Sequence, residues 1–272
     1  MSELGIRPNK GLGQHFLFER GIVERMVRQA GVTSSDTVLE VGPGLGILTS
    51  ELLRKAHHVI AIERDPALVT HLREAFGDIP AFTLVQGNAL TGNSEEIVPS
   101  GVPFDVVANL PYSVGTAILR HLMEQPRKPR RITAMLQKEV AERLIATPPN
   151  MSVLSVAVQF YAAPRLLFTV SPTVFIPPPT VESAVVSLEL FQKSRLPEEQ
   201  TKRFFVIVNA GFRQKRKQLA NSLSEVLKLP KPIVAEWLHR NDIDPMRRAE
   251  TLTLDDWITL AKDQSIQLPD EK

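Results

Sequence analysis

The chain reads as an α/β protein, a doubly wound parallel sheet joined to a smaller all-helical domain, and three features of its 272 residues lead there. Short β-branched runs alternate with helical stretches between Thr37 and Gln137, the pattern of strands linked by crossover helices. A glycine turn, Gly42-Pro43-Gly44-Leu45-Gly46, follows the first of these strands directly. Beyond Phe191 no strand pattern returns, and apolar residues recur at helical spacing.

Taken in order, a helix over 19–30 carries Ile22, Val23, Met26 and Val27 on one face. Strands are expected at 37–41, 59–63, 82–86, 105–108 and 132–136, with helices over 45–55, 66–76 and 116–124 between them. Further strands at 157–161, 166–170 and 184–190 would extend the sheet, with a hairpin at one edge. The polar segment 191–200 reads as a linker, followed by helices over 201–212, 216–227, 232–239 and 254–262 with Leu, Ile, Val and Trp as the buried stripe. The expected domains are therefore 1–192 and 193–272.

Composition narrows the function. No cysteine is present, which excludes disulfides, thiol catalysis and cysteine-ligated metals. The six histidines are scattered, and His57-His58 has no partner at ligand spacing, so no metal site is expected. No stretch approaches the ~20 apolar residues of a membrane span, and the opening residues lack a secretory signal. A cytoplasmic monomer is the expectation. Net charge is +2, unevenly placed, since residues 191–272 hold 15 Lys or Arg against 12 Asp or Glu.

The glycine turn lies where ligands bind in such sheets, at a strand's carboxyl end. Its GxGxG spacing differs from the GxGxxG of dinucleotide sites, and Pro43 removes a backbone donor that a pyrophosphate would use. A Rossmann-like sheet with this turn points to S-adenosylmethionine rather than NAD, with Gly42 and Gly44 as cofactor contacts; a plain structural turn remains a reading. Glu63 ends the second strand, where an acidic side chain can accept hydrogen bonds from ribose hydroxyls. Its alternative is a solvated cluster with Arg64 and Asp65, in which Asp65 caps the next helix. Asn88 follows the third strand, placed to hold an adenine or simply to form a turn.

Asn109-Leu110-Pro111-Tyr112 closes the fourth strand. An adenine amine is a poor nucleophile because its lone pair is delocalised into the ring, so an enzyme must grip both N–H groups with acceptors. Asn109 can supply a side-chain oxygen, Leu110 or Pro111 a backbone carbonyl, and Tyr112 a face for base stacking. A turn with a core tyrosine is the structural alternative.

These residues bring out a resemblance over nearly the whole chain. The sequence resembles the KsgA family of ribosomal RNA adenine dimethyltransferases, and more distantly the Erm methyltransferases. The resemblance rests on EVGPGLGILT, on NLPY, on Gly13-Gln14-His15-Phe16-Leu17, on QKEVAERL from Gln137, on VFIPPPTVESAVV from Val174 and on Gly211-Phe212-Arg213-Gln214-Lys215-Arg216-Lys217-Gln218-Leu219. It implies a Rossmann-like methyltransferase domain with a helical RNA-binding domain. It also implies dimethylation of the N6 amines of two adjacent adenosines near the 3′ end of small-subunit (16S) rRNA, in a pre-ribosomal 30S particle. His15, Leu17, Gly42, Glu63, Asn88 and Asn109 would line the S-adenosylmethionine site. Asn109 to Tyr112 would hold the amine, and Phe175 would stack on the flipped base opposite Tyr112. Read without the family, Phe175 is a core aromatic.

The sequence departs from the family pattern at Asn88, commonly Asp, at His15, often Asn, and in a shorter loop over 146–152. An amide is a weaker acceptor than a carboxylate. Arg213, Lys215, Arg216 and Lys217 fit the family's basic helical segment and are candidate RNA contacts, as are the run Arg127-Lys128-Pro129-Arg130-Arg131 and Arg7 and Lys10. An Erm-like enzyme for large-subunit rRNA and a catalytically weakened ribosome-assembly factor are the alternatives.

Overall fold

A computed structural model describes residues 15–268. Arg7, Lys10, Gly13 and Gln14, singled out above, lie outside the described residues. The chain divides into two compact units, one made of the residues up to Ala141 with Ala163–Gln192, the other of Glu142–Ala162 with the residues from Lys193.

In the first unit, β1 (Phe16–Leu17) leads into α1 (Arg20–Ala30). The side chain of Glu19 caps that helix at its start and Gly31, left-handed at φ 64°, ends it. Four parallel repeats follow: β2 (Thr37–Val41), α2 (Ile47–Leu53), β3 (His58–Glu63), α3 (Pro66–Phe76), β4 (Phe82–Gln86), α4 (Ser94–Ile97), β5 (Phe104–Asn109), α5 (Gly115–Glu124) and β6 (Arg131–Gln137). After α6 (Lys138–Leu144) and α7 (Val153–Tyr161), the chain returns through β7 (Ala162–Val170), β8 (Phe175–Ile176) and β9 (Ser183–Leu190).

The main sheet has the order β4-β3-β2-β5-β6-β9-β7. Its first five strands run parallel, and β9 pairs antiparallel with β6. Every residue of β2 is buried, as is β5 up to its last residue, as expected of strands covered on both faces. The chain steps outward from β2 through β3 to β4 and then returns to β5 on the other side of β2. That reversal is the switch point at which such sheets bind ligands.

The second unit is helical: α7 joins α8 (Glu198–Phe212), α9 (Leu219–Leu227), α10 (Lys231–Arg240) and α11 (Leu254–Lys262). Two expectations are corrected here. Residues 157–161 are helical rather than a strand, and residues 142–162 belong with the helical unit rather than with the sheet. The physical reason is local and tertiary together. Ser152 and Ser155 form a reciprocal capping box that starts α7. Val156 and Phe160, four apart on one face, then enter the helical core, where the ring of Phe160 stacks 4.5 Å from that of Phe204.

Candidate active site

A cavity opens where the carboxyl ends of β2 and β5 lie side by side. Its walls are the strand-end loops after β2, β3, β4 and β5, joined by His15, Leu17 and Phe175. Gly42 and Gly44 hold φ at 68° and 59°, a region in which side chains with a Cβ are strained. A Cβ on Gly42 would meet nothing within 4 Å, so conformation rather than crowding requires glycine there. On Gly44 it would lie 3.3 Å from the ring of Phe16.

Two buried carboxyls line the cavity. Glu63 is only 7% exposed; its Oε1 accepts from the amides of Arg64 (2.7 Å) and Asp65 (2.9 Å) and its Oε2 from that of Gly44 (3.3 Å). Burial raises its pKa, while the three N–H donors favour the charged form. Asp65 separately caps α3 by accepting from the amide of Ala67 at 2.9 Å, the capping role weighed for it from sequence, while Glu63 is buried rather than part of a solvated cluster. Glu40, in the middle of β2, is 1% exposed. Thr49 Oγ1 donates to its Oε2 at 2.7 Å, and its Oε1 has no partner among the described residues. Burial, with a contribution from the charge of Glu63, pushes its carboxyl up to about 8.

Asn88 lines the cavity and also forms the turn after β4. Its Oδ1 accepts from the amide of Leu90 at 3.1 Å, and its carbonyl accepts from those of Thr91 (3.0 Å) and Gly92 (2.9 Å). The Nδ2 donor is left facing no hydrogen-bond partner among the described residues.

Asn109 ends β5 opposite Met135 of β6. The next residue, Leu110, anchors the loop by donating its amide to the Met135 carbonyl at 3.2 Å and burying its side chain. The Pro111 carbonyl accepts from Val114 (3.2 Å) and Gly115 (2.8 Å), which starts α5. Of the two backbone acceptors considered from sequence, the Leu110 carbonyl is thus the one that accepts no hydrogen bond among the described residues. The hydroxyl of Tyr112 is hydrogen-bonded to that of Ser183 on β9. Burial raises its pKa. Its ring lies 5.4 Å from that of His15, tilted by 30°, and His15 Nδ1 donates to the Pro177 carbonyl at 2.8 Å. Phe175, paired with Leu17 across the β1–β8 ladder, is 2% exposed. It is at once a core aromatic and part of the cavity wall.

The basic residues divide into two kinds. In the helical unit Arg213, Lys215, Arg216 and Lys217 are all exposed in the turn between α8 and α9; Lys217 pairs with Glu225 at 2.9 Å. In the run 127–131, by contrast, three guanidiniums are engaged by acceptors of the protein itself, although Arg130 stays exposed. Arg127 donates to the carbonyls of Val98 (2.7 Å) and Pro99 (2.8 Å), Arg130 bridges Asp36 (2.6 Å) and Asp105 (3.1 Å), and Arg131 holds Asp105 at 2.9 Å. Among the described residues there is no cluster of three or more His, Asp or Glu able to hold a metal, and no helix is long and apolar enough to cross a membrane.

Glu40, Ser183 and the tether of His15 were not found from sequence. For Glu40 a signal existed, an acidic residue inside the otherwise apolar run TVLEV. For the other two, the partners lie 71 and 162 positions away.

Known proteins share this architecture. The family model "Ribosomal RNA adenine dimethylase" matches residues 5–264. Ribosomal RNA small subunit methyltransferase A of Dehalococcoides mccartyi is 41% identical over 252 residues, 93% of this chain and 87% of that one. The protein of the same name from Alkaliphilus metalliredigens is 38% identical, covering 94% and 92%. Among solved structures, a dimethyladenosine transferase from Plasmodium falciparum superposes with a TM-score of 0.77 at 25% identity over 90% of this chain and 96% of that one. The 23S rRNA methyltransferase ErmE gives 0.72 at 27% identity over 91% and 98%.

Proposed function

The chain belongs to the ribosomal RNA adenine dimethylase family, and from that membership we propose that it dimethylates the N6 amines of two adjacent adenosines near the 3′ end of 16S rRNA in a pre-ribosomal 30S particle, with S-adenosylmethionine as co-substrate. The observation that carries the reading is the pair of acceptors at the end of β5. The Asn109 side chain and the Leu110 carbonyl are both without protein partners among the described residues, and both residues line the cavity.

The pocket suits a positively charged co-substrate, because two buried carboxyls line it and one of them has an oxygen without a partner among the described residues. Gly42, Gly44, Glu63, Asn88, His15 and Leu17 would hold it. When bound, S-adenosylmethionine supplies an electrophilic methyl group on a sulfonium sulfur. The chain's own part is positioning. The Asn109 oxygen and the Leu110 carbonyl accept the two N–H groups of the adenine amine and turn its lone pair away from the ring. Tyr112, fixed through Ser183 and His15, and Phe175 give the extruded base faces to replace those it leaves on unstacking. Such stacking contributes ~1–3 kcal/mol per base. The alkylated amine is acidic, so its proton leaves to water without a dedicated strong base.

The small-subunit names of the curated relatives at 41% and 38% identity support this target over the large-subunit RNA named for ErmE, whose structure matches at 27%. Exposed Arg213, Lys215, Arg216 and Lys217 would contact RNA phosphates. Labelled methyl transfer from S-adenosylmethionine to unmethylated ribosomal subunits tests the reading. Label in the small subunit, mapped to N6 of adjacent adenosines, is expected. Label in the large subunit would favour the Erm-like activity, and none in either would favour an assembly factor.

A further inference from the structure

Glu40 adds to the acidic lining of the pocket but is given no individual role in the scheme above, and it lines the same cavity as the glycine turn and Asn109. A carboxylate buried to 1% exposure normally has every acceptor position satisfied. Here the only donor is Thr49, and Oε1 has none among the described residues. No cation among the described residues offsets it. From β3, Glu63 acts on it as a like charge. From β5 its register partner is the apolar Val107. On α2, Glu51 is engaged with Arg54 at 3.0 Å. The other ionisable groups of the cavity, His15, Arg64, Asp65 and Tyr112, make no ion pair or hydrogen bond with Glu40. An uncompensated buried carboxyl of this kind takes up a proton rather than carry its charge.

We propose that Glu40 is a proton-exchanging counter-charge for the co-substrate: neutral beforehand, it ionises when a sulfonium cation enters the cavity, so that binding S-adenosylmethionine releases a proton while binding S-adenosylhomocysteine releases far less. The inference rests on the cofactor assignment made above. The step is a simple ionisation. The Glu40 O–H bond breaks, its electron pair stays on the carboxylate, and the proton passes to the buffer. Because the demethylated product lacks the sulfonium charge, it cannot draw that proton off, and the same carboxyl therefore favours the methyl donor over the spent product.

Calorimetric titration of both ligands at pH 7, in two buffers of different protonation enthalpy, counts the protons directly. A carboxyl at about 8 is roughly nine-tenths protonated at that pH. Nearly a whole proton is expected for S-adenosylmethionine and a small fraction for S-adenosylhomocysteine. Affinity for S-adenosylmethionine should fall up to ~10-fold per pH unit below 8, and Glu40→Gln should bind with neither proton release nor that pH slope. Equal proton counts for the two ligands, heats independent of buffer, or release that persists in Glu40→Gln would each overturn the inference while leaving the cofactor assignment intact. Failure of S-adenosylmethionine to bind at all would overturn both. If Glu40→Gln does not fold, as judged by circular dichroism, the two-ligand comparison on the unaltered chain decides.

Discussion

The hydroxyl of Tyr112 is hydrogen-bonded to that of Ser183, which ties the loop after β5 to a strand 71 positions later in the chain. Ser183 is fully buried and faces Gln137 across the β6–β9 ladder, so its hydroxyl is held by the sheet and in turn fixes the Tyr112 ring. Ser183→Ala and Tyr112→Phe should each weaken methyl transfer to the small subunit about tenfold, the effect of removing ~1–1.5 kcal/mol. The double variant should be no slower than either single one. Steady-state kinetics check this, and S-adenosylmethionine affinity should be unchanged in Ser183→Ala.

Stability of the ligand-free chain should depend on pH through Glu40. Its folded carboxyl lies at about 8, well above the ordinary 4.5, so between those values the folded state holds a proton that the unfolded chain has released. The contribution is fully present below about pH 4.5 and is lost as pH rises through 8. Glu63 is raised in the same direction, whereas Asp36, lowered by its bonds to Thr33 and Arg130 against the cost of burial, acts only at the acid end. Melting temperatures measured from about pH 5 to 9 should decline, and Glu40→Gln should flatten much of that decline.

The two basic runs should separate experimentally. Replacing Arg213, Lys215 and Arg216 by Ala should reduce the salt dependence of binding to small-subunit RNA, by ~0.7–0.9 in log–log slope for each phosphate that is no longer neutralised, with little change in melting temperature. Asp105→Ala should do the reverse. It leaves Arg130 and Arg131 without the carboxylate they share, whose side chain is 3% exposed, and should cost about 2–4 kcal/mol of stability. Filter binding across a salt series and denaturant unfolding provide the two readings.

Within the helical unit, Gly211 on α8 is closed in by the ring of Trp257, which would lie 2.4 Å from an added Cβ. Trp257 is fully buried, so the ring has little room to retreat. Gly211→Ala should therefore destabilise by about 1–3 kcal/mol through overpacking, despite alanine's better helix propensity, as thermal unfolding would show.

Where chemistry is written into local order, the sequence was legible. TVLEV running straight into a glycine turn fixed β2 and its loop, and strand-ending Glu63 and Asn109 followed from the same logic. What could not be read depended on distant partners or on an ambiguous period. Residues 157–161 alternate well enough to pass for a strand, since short apolar runs do not distinguish the two periods, and only packing in the helical core decides for helix. The pairing of Arg130 could not be read because its partner Asp36 lies 94 positions away. Asn88 forms the turn and still lines the cavity, so the turn by itself does not decide between its two readings. Glu40 was visible as an acidic residue in an otherwise apolar run, but the oxygen it leaves without a partner among the described residues appears only in the fold.

Asn109 as the holder of the target amine is the assignment on which the rest depends. Single-turnover methyl transfer to unmethylated small subunits by Asn109→Ala, at saturating S-adenosylmethionine, tests it directly. Removing one acceptor that acts in the transition state should slow transfer ~100-fold or more, with the fold unchanged by circular dichroism. Transfer at the rate of the unaltered chain would contradict the assignment.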